Sequence, residues 1–486
     1  MTHSIIGWEQ EEPVPDGHAF TDYLVNHGGH LHLGGVDLAQ LFLAQESAVE
    51  GPVFPPVGGA IPSPLELVYL PLITRRIHEM QQMFAEVIAE LGYEGQFHYT
   101  YASKANAAEE IIRTTLKAGA HHEMSSGVDV DIARLMMQRG LLTPDRMVIC
   151  NGFKGPGSSY ATKIVQLKGE HEQVIPVIED LPEIGWLLTS GKPFEVGLRQ
   201  KSYGHNTTEA EMNGANSRFG LCLDDLWKAA DYLAAAPNLT FSLYHYMVGS
   251  QITNPDEFLS YLKPGLELYA RLKQRHPSLR IFNFGGGMPV RMTLDFNFDY
   301  RAFIRLLLTT AQEVCGRYHV PVPDIMGEFG RYTTSEHGAH LFKIITAKDN
   351  QSDTPWYIID SSIMSSFPDS WALGEHFMLL PLNHLDKPFQ RVQLGGITCD
   401  SDDVYPPKKS ESPLDLPTET DDLYIGFFSI GAYQEMLGGV RGSKHCVLPE
   451  AMELIIDKDA QGNYRFELVH GQTEDEVMFN LGYRRA

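Results

Sequence analysis

The sequence has few cysteines, little positive charge and no long apolar run. Its five cysteines, Cys150, Cys222, Cys315, Cys399 and Cys446, form no CxxC pair. This pattern argues against a disulfide framework and predicts no metal site. No run of about 18 apolar residues occurs, so we expect no membrane span. The opening segment MTHSIIGWEQEEPVPDG lacks the basic start and apolar stretch of a signal peptide, so we expect none. The odd number of unpaired cysteines predicts a protein of the reducing cytoplasm.

Acidic residues outnumber basic ones, 62 against 38, and the net charge is −24. Nucleic acid is therefore not expected as a partner, because phosphate backbones require clustered Lys and Arg. A small cationic substrate is favoured by such a field, although solubility alone also explains it. With 486 residues, 43% of them hydrophobic, the chain can bury a large core and form two or three domains.

Short apolar runs alternate with amphipathic stretches between about residues 97 and 328. In stretches such as AAEEIIRTTLKAG and YRAFIRLLLTTAQEVCGRY, apolar residues recur at steps of three and four, which is typical of helices. Eight strands separated by helices predict an α/β fold closed as a (β/α)8 barrel of the TIM type. The predicted strands lie near residues 97–103, 119–124, 147–151, 174–179, 194–199, 240–248, 280–285 and 322–328.

The pattern changes after about residue 340, where runs such as WYIIDSSI, LYIGFFSIG and YRFELV are joined by turns with few helices. This pattern predicts a separate β-rich domain. We expect residues 1–69 to contribute to the β domain, residues 70–340 to form the barrel, and residues 341–486 to form the C-terminal β domain. The polar, proline-rich stretch 406–422 is predicted to be an exposed loop.

Lys104 follows the first predicted barrel strand, in the motif YASKAN. Barrel enzymes carry their chemistry at the carboxyl ends of the strands. A partly desolvated lysine at that end can lose its proton and form a Schiff base. A surface lysine at a strand end is the other interpretation of this residue taken alone.

Gly285, Gly286 and Gly287 follow the apolar run RIFNF. Three glycines allow a backbone to approach a phosphate and to direct its N–H groups at it, although a flexible turn also explains them. Ser250 lies in HYMVGSQ, at the end of the sixth predicted strand, where its hydroxyl can bind phosphate. In the same motif we expect His245 to be a hydrogen-bonded core histidine.

Glu328 and Arg331 lie in EFGR, at the end of the last predicted barrel strand. A carboxylate that faces a pyridine nitrogen keeps the nitrogen protonated and makes the ring a stronger electron sink. Arg331 can bind phosphate oxygens. A structural ion pair explains the two residues equally well when they are taken alone.

Two motifs of the second domain carry further candidates. Cys399, Asp400 and Asp402 lie in CDSDD, where a thiol can act as an acid and carboxylates can pair with a cation. A buried free cysteine beside an acidic loop is the commoner arrangement. Tyr433 lies in GAYQ, where its hydroxyl can reach a phosphate or its ring can belong to the core.

The motifs YASKAN, HYMVGSQ, GGG, EFGR, CDSDD and GAYQ occur in an order that resembles the fold-type III pyridoxal-phosphate (PLP) decarboxylases. Those enzymes act on ornithine, diaminopimelate and arginine. The resemblance runs from about residue 30 to the C-terminus. VICNGFK, SRFGL, SSFPDSWAL, ITCDSDD and IGFFSIGAYQEMLGG are most similar to the biosynthetic arginine decarboxylases, in a compact branch that lacks the extra helical segments of the large bacterial enzymes.

The resemblance implies an alanine racemase-like fold and the decarboxylation of L-arginine to agmatine and CO2, a step of polyamine biosynthesis. PLP is the implied cofactor, and a magnesium requirement is left open. Lys104 would hold PLP as an imine, Glu328 would pair with its ring nitrogen, and Glu123 would lie near the lysine and the ring. The residues implied to surround the phosphate are Gly285, Gly286, Gly287, Ser250, Arg331 and Tyr433.

The resemblance also implies an active site shared across a homodimer or a larger homo-oligomer. Cys399 from the partner subunit would protonate the α-carbon after CO2 leaves, and Asp400 and Asp402 would bind the distal cation of the substrate. Two positions depart from the family pattern. Met247 stands where the family usually has a histidine that stacks on the cofactor ring, and Phe329 stands where many relatives have proline.

Three alternatives stay open. Ornithine and lysine carry ammonium groups that also pair with carboxylates, whereas diaminopimelate has a second carboxylate that calls for an arginine. A racemase on this barrel also uses the lysine of YASKAN, but its pyridine nitrogen faces an arginine, and Glu328 argues against that activity. The third alternative is a catalytically silent regulator, and the presence of Lys104, Glu328, Arg331 and Cys399 argues against it.

Overall fold

The computed structural model describes residues 12–43, 60–201, 217–349, 354–407, 414–442 and 444–484. The chain divides into two compact units. The barrel unit consists of Ile73–Val290 and Phe298–Thr333, and the β-rich unit consists of the residues up to Leu72, Arg291–Asn297 and the residues from Thr334 onward. The domain limits expected at residues 69 and 340 stay a prediction.

Four strands precede the barrel in the part of the chain that the structure describes. The first three form a small antiparallel sheet, and the fourth joins a larger sheet in the β-rich unit. They are β1 (Leu24–His27), β2 (His30–Leu33), β3 (Val36–Asp37) and β4 (Leu65–Tyr69).

The barrel unit is a closed ring of eight parallel strands, which confirms the predicted (β/α)8 barrel. The order of the strands around the ring follows the chain, and pairing of the last strand with the first closes it. Each strand lies within the range expected from the sequence or differs from it by one residue. The strands are β5 (Phe97–Ala102), β6 (His121–Met124), β7 (Val148–Cys150), β8 (Val174–Ile178), β9 (Phe194–Arg199), β10 (Leu239–His245), β11 (Ile281–Asn283) and β12 (Asp324–Glu328).

Helices connect these strands, and local sequence signals fix where they begin. Asn254 caps the helix Pro255–Arg275 by accepting hydrogen bonds from the backbone N–H groups of Asp256 and Glu257, at 3.0 and 3.1 Å. The other helices of eight or more residues are Leu70–Leu91, Glu109–Lys117, Gly127–Gln138, Ser159–Lys168, Glu183–Ser190, Leu223–Ala235 and Tyr300–Tyr318. Across the described residues, no helix is both long enough and apolar enough to cross a membrane.

The interior of the barrel is filled with apolar side chains. Gly197 faces this core, where an added Cβ would lie 2.9 Å from Leu243 and 3.0 Å from Val177. Because the interior is close-packed, polar chemistry is confined to the ends of the barrel. The core residues are Met147, Ile149, Ile175, Val177, Leu243, Ile281 and Met326.

The β-rich unit is built around one long strand of eleven residues, β13. Its first half pairs with β4, and its second half pairs with the strand Trp356–Ile359. The strands of this part of the chain are β13 (Gly338–Lys348), β14 (Trp356–Ile359), β15 (Met378–Pro381), β16 (Phe389–Arg391), β17 (Gln393–Gly395), β18 (Val404–Tyr405), β19 (Asp415–Pro417), β20 (Tyr424–Phe428), β21 (Met452–Lys458) and β22 (Tyr464–Val469).

The main sheet has the order β18-β17-β14-β13-β4-β21-β22, and β20 pairs with both β13 and β15. The predicted β-rich region is thereby confirmed. The short helices of this part of the chain are Arg331–Thr334, Ile363–Ser366, Asp369–Leu373, Gln434–Gly438 and Glu474–Asn480.

The stretch 406–422 is not entirely the exposed loop predicted for it. Residues 408–413 lie outside the described residues, and Asp415–Pro417 is the buried strand β19, which pairs with β16. Leu414 and Leu416 belong to the apolar core of the unit. Their alternation, typical of a strand, is hidden in the sequence by the surrounding prolines and acidic residues.

Candidate functional site

Polar side chains occupy the carboxyl end of every barrel strand. Because parallel strands of a closed barrel end at the same rim, these residues form one ring. The members of the ring are Lys104, Glu123, Asn151, Glu179, Arg199, His245, Asn283 and Glu328.

Lys104 lies on a short 3-10 turn, Ser103–Ala105, directly after β5. Its side chain is exposed, between two buried neighbours. It is close enough to Glu123, Glu328 and His245 to influence the pKa of each of them. The first strand of the barrel therefore delivers a lysine amine to a group of buried titratable side chains.

Glu328 is 6% exposed and is surrounded by hydrogen-bond donors. The amide of Asn151 donates to both carboxylate oxygens at 3.0 Å, and the amide of Asn283 donates to Oε1 at 2.7 Å. Burial alone would raise the pKa of Glu328, but His245, the two amides and Lys104 together lower it. Burial lowers the pKa of His245 to about 4, so this imidazole is neutral at pH 7. The amides and Lys104 therefore keep Glu328 ionised at neutral pH.

Glu123 is another buried carboxyl group at this rim. Its surroundings differ from those of Glu328, because they offer it no aligned hydrogen-bond donor among the described residues. It is 1% exposed, and among the described residues no hydrogen-bond donor is aligned with either of its oxygens. Asn151 lies near it but directs its amide at Glu328. Burial, followed by the charge of Glu328, raises the pKa of Glu123. Of the two carboxyl groups that lie near Lys104, Glu123 is thus the carboxylic acid and Glu328 the carboxylate.

His245 is not the hydrogen-bonded core histidine expected from the sequence. It is 2% exposed, and neither ring nitrogen has a hydrogen-bond partner within the part of the chain that the structure describes. Its Nε2 lies 3.9 Å from Oε2 of Glu328. Buried polar groups are almost always hydrogen-bonded in folded proteins, so unsatisfied groups at His245 and Glu123 indicate where a polar ligand fits.

The three glycines after β11 approach neighbouring backbone closely. Gly285 and Gly287 have φ values of +72° and +96°. A Cβ on Gly286 would lie 2.9 Å from the carbonyl oxygen of Glu328, and one on Gly287 would lie 2.5 Å from that of Gly249. Side chains are therefore excluded from this loop, so a ligand can approach its backbone closely. Within the protein, the N–H of Gly285 donates to Oδ1 of Asn283 at 2.8 Å.

Met247 packs against the same glycine loop. Its sulfur accepts a hydrogen bond from the backbone N–H of Gly286 at 3.2 Å. A Cβ on Gly285 would lie 2.5 Å from this sulfur. The residue that departs from the family pattern is thus a polarisable thioether beside the candidate phosphate loop, where it can pack against a flat ring.

Ser250 lies on the loop after β10, and Arg331 begins the short helix Arg331–Thr334 after β12, at the same end of the barrel. Next to Ser250, Gln251 accepts a hydrogen bond from the backbone N–H of Val290 at 3.0 Å. This bond joins the serine loop to the segment that follows the three glycines. The barrel unit therefore assembles at one rim all the candidate residues that it contains.

Cys399, Asp400, Asp402 and Tyr433 lie in the β-rich unit. Cys399 is exposed, so it is not a buried free cysteine. Oδ1 of Asp400 accepts a hydrogen bond from the backbone N–H of Asp402 at 2.8 Å, and Oδ2 lies 3.4 Å from Nε2 of His445. These contacts give the acidic loop a defined shape.

Asp403 holds this loop in place. It is 2% exposed, and its Oδ1 accepts hydrogen bonds from the backbone N–H groups of Ile363 and Met364 at 2.8 and 3.2 Å and from the hydroxyl of Ser362 at 3.1 Å. Its Oδ2 accepts from the hydroxyl and the N–H of Thr398 at 2.6 and 3.2 Å. The last acid of CDSDD is therefore structural, and it fixes the exposed acids that precede it.

Tyr433 has an unusual backbone conformation, with φ +70° and ψ −34°. It is half-buried and stands before Gln434, which is buried and exchanges hydrogen bonds with Asp369 at 2.8 and 3.1 Å. A non-glycine residue at positive φ costs about 1–3 kcal/mol and persists where the surroundings enforce it, commonly at functional sites.

Asn151, Asn283 and Asp403 were not identified as site residues from the sequence. Each of the two asparagines directly ends an apolar run, in MVICN and RIFN. A polar residue at the end of each predicted barrel strand was the available signal. The carboxylate that the asparagines bind could not be paired with them before the barrel order was known.

The barrel rim fits a pyridine ring that carries an aldehyde and a phosphate. Lys104 supplies an amine, Glu328 a charged acceptor, and the glycine loop a stretch of backbone without side chains. The buried polar atoms of Glu123 and His245 that lack partners leave hydrogen-bonding capacity for such a ligand. In the described ranges, no three His, Cys, Asp or Glu side chains are grouped as a metal site.

Comparison with known proteins agrees with this geometry. The family model for the pyridoxal binding domain of pyridoxal-dependent decarboxylases matches residues 71–335, more than half of the chain. The chain is 23% identical to the biosynthetic arginine decarboxylase of Deinococcus radiodurans, over 86% of this chain and 80% of that protein.

Solved structures show the same fold. A biosynthetic arginine decarboxylase from Campylobacter jejuni superposes with a TM-score of 0.76 at 20% identity, covering 96% of this chain and 89% of that one. A diaminopimelate decarboxylase from M. jannaschi gives the same TM-score at 17% identity, covering 95% and 98%. The chain belongs to the pyridoxal-dependent decarboxylase family.

Proposed function

We propose that this protein is a homodimeric arginine decarboxylase, which converts L-arginine to agmatine and CO2 with PLP. The observation that carries the proposal is the unequal pair of buried carboxyl groups at the barrel rim. Glu328 is ionised and bound by two amides, whereas Glu123 has a raised pKa and no aligned donor from the residues that the structure describes.

This arrangement favours decarboxylation over racemisation. When bound, PLP supplies an electron sink for the electron pair that stays on the α-carbon as CO2 leaves. An ionised Glu328 opposite the ring nitrogen keeps that nitrogen protonated, whereas the arginine of a racemase would not. Lys104 would hold the aldehyde carbon, and Gly285–Gly287, Ser250 and Arg331 would bind the phosphate together with Tyr433.

The remaining roles belong to the acidic loop of the β-rich unit. We assign the proton that reaches the α-carbon to the thiol of Cys399 of the partner subunit. Asp400 and Asp402 are assigned to the distal guanidinium, a planar cation that carboxylates bind in pairs. The same loop would repel the second carboxylate of diaminopimelate. The names of the relatives support arginine over ornithine and lysine.

Two further assignments follow from the proposed activity. Agmatine is a polyamine precursor, so we place the enzyme in polyamine biosynthesis. We also place it in the cytoplasm, because a reducing compartment keeps Cys399 in the thiol form that a proton donor requires.

The direct test is product formation from four substrates. The full-length protein, saturated with PLP, is incubated separately with arginine, ornithine, lysine and meso-diaminopimelate, and each product is quantified by mass spectrometry. We expect kcat/KM to be highest for arginine, with agmatine as the product. Faster conversion of any other substrate would overturn the assignment to arginine. The absence of all four products would overturn the proposal that the protein is a decarboxylase of these amino acids.

A second test locates the cofactor. Borohydride reduction should fix the cofactor mass on the peptide that contains Lys104, and the substitution Lys104→Ala should abolish both the label and turnover. Lys228→Ala is the matched control, since Lys228 is exposed and bound to Asp225 at 2.8 Å. Lys154 provides an internal check, because it is fully buried with its amine 3.4 Å from Glu183. A label on Lys154 would contradict the assignment.

A further inference from the structure

Two thiols lie side by side on the surface of the β-rich unit. Cys399 and Cys446 are both exposed, and their sulfur atoms are 3.8 Å apart. The three other cysteines differ, because Cys150 and Cys315 are buried and Cys222 is exposed with its sulfur 3.3 Å from Oδ2 of Asp225.

A second contact joins the two segments that carry these thiols. Asp400, next to Cys399, lies 3.4 Å from His445, next to Cys446. Both segments are also fixed locally. Asp403 anchors the first segment through its five hydrogen bonds. In the second segment, Cys446 is held at φ +54° and ψ +21°, a region that non-glycine residues occupy only where the surroundings enforce it.

We propose that Cys399 and Cys446 are a modification site, at which a peroxide converts the two thiols into a reversible disulfide. The consequence for activity rests on the proposed function, because a disulfide at Cys399 removes the S–H group assigned to protonate the product. The pairing of the two thiols rests on their geometry alone.

The chemistry balances with hydrogen peroxide as the oxidant. One thiolate attacks the O–O bond, which breaks to give a sulfenic acid and hydroxide, and the hydroxide takes up a proton to become water. The second thiol then attacks the sulfenic sulfur, an S–S bond forms, and a second water leaves. The two cysteines together lose two protons and two electrons, which is the mass of two hydrogen atoms, and a dithiol reductant reverses the change.

The geometry allows this step with little movement. A disulfide requires a sulfur–sulfur distance of about 2 Å, so the two atoms must approach each other by a further distance of about 2 Å, which rotation of two exposed side chains provides. The contact with Cys446 is also the main cause of a raised pKa of Cys399. Because the thiolate is the attacking species, oxidation should become faster as the pH rises.

The test uses the full-length, PLP-loaded enzyme with Cys222→Ser as the background. This substitution removes the third exposed cysteine, so Cys399 and Cys446 are the exposed thiols that are left. Hydrogen peroxide is added in small molar excess, and three quantities are followed: the intact mass, the number of thiols that react with Ellman's reagent in the folded protein, and the agmatine-forming activity. We expect the mass of two hydrogen atoms to be lost, the thiol count to fall from two to zero, activity to fall at least tenfold, and dithiothreitol to reverse all three.

Cys446→Ser in the same background is the matched control, and its activity is scored against its own untreated sample. It should lose no hydrogen mass, and Cys399 should instead gain oxygen. Three results in the parent would overturn the pairing: two thiols that survive peroxide, oxygen addition without hydrogen loss, or a disulfide between subunits on a non-reducing gel. A disulfide that forms with full activity would leave the pairing intact but would reject Cys399 as the proton donor and, with it, that part of the proposed function.

Discussion

Replacement of Glu328 by glutamine tests the proposed assignment of charge most directly. Glutamine has the shape of glutamate but no charge, so the change leaves the packing around a side chain that is 6% exposed largely intact. The carboxylate accepts the amide of Asn151 on both oxygens at 3.0 Å and the amide of Asn283 on Oε1 at 2.7 Å. After Glu328→Gln, one acceptor becomes an N–H donor that faces another donor.

The expected size of the effect follows from these contacts. A hydrogen bond to a charged group contributes about 1.5–3 kcal/mol, and a buried donor without an acceptor costs about 1–3 kcal/mol. If the negative charge acts on the cofactor ring through one such bond in the transition state, its loss lowers kcat by roughly 10- to 150-fold. The opposed amide donors should lower stability by about 1–3 kcal/mol as well.

The assay is steady-state agmatine formation at saturating PLP, with the thermal midpoint of the same samples. The kcat of Glu328→Gln should fall by the factor above, while KM for arginine should change little, because the guanidinium is assigned to another loop. Glu328→Asp, which keeps the charge, should recover part of the loss. Glu195→Gln is the matched control, since Glu195 is exposed and pairs with Arg280 at 2.7 Å. A folded, PLP-saturated Glu328→Gln enzyme with kcat within twofold of the parent would refute the reasoning.

Three further substitutions test other parts of the structure. Folding raises the pKa of Glu123, so the free energy of unfolding is greatest at low pH and falls by about 1.4 kcal/mol per pH unit above the ordinary glutamate range. The thermal midpoint of Glu123→Gln should therefore rise relative to that of the parent between pH 5 and pH 7.5. A constant difference between the two midpoints would contradict the raised pKa. Gly287→Ala places a Cβ 2.5 Å from the carbonyl oxygen of Gly249, at a φ of +96°. The affinity for PLP, measured by titration, should therefore drop at least about tenfold, which corresponds to 1.4 kcal/mol. Unchanged affinity would show that this loop does not bind the phosphate. Asp403→Asn removes the negative charge that accepts five hydrogen bonds. The free energy of unfolding should fall by about 1.5–3 kcal/mol, and KM for arginine should rise by a larger factor than kcat falls. A larger effect on kcat would contradict the anchoring role of Asp403.

Strands and helices of the barrel could be predicted because their signals are local. Each apolar run ends at a turn and is followed by a stretch with helical spacing, and β9 coincides with its predicted range. The long strand Gly338–Lys348 was not predicted. It closely follows the short helix Arg331–Thr334. Its pairing with Leu65–Tyr69 joins residues about 270 positions apart. Long-range pairing of this kind leaves little trace in the local sequence.

The candidate site could be predicted by position but not by charge. The motifs identify Lys104 and Glu328 as residues at strand ends, and the family resemblance adds Glu123. The structure brings the three to one rim. The sequence does not show which glutamate carries the proton, because that depends on donors from other strands. Asn151 and Asn283 both point at Glu328 and leave Glu123 without an aligned donor. The assignment of acid and carboxylate therefore required the barrel order.

Met247 also affects the distribution of charge at this rim, because it stands where the family usually has a titratable histidine. Its sulfur accepts the N–H of Gly286, a bond that a neutral imidazole nitrogen would also accept, so the loop keeps its contact and loses only a titratable group. Among the titratable groups of this rim, Glu123 is protonated by burial, His245 is neutral above about pH 4, and Glu328 is ionised by its donors. With no histidine stacked on the ring, the proposed function would leave Glu328 to govern the proton on the pyridine nitrogen when PLP is bound. A single isosteric change at that residue should therefore have a larger effect on turnover than any other neutral substitution at the barrel rim that keeps Lys104.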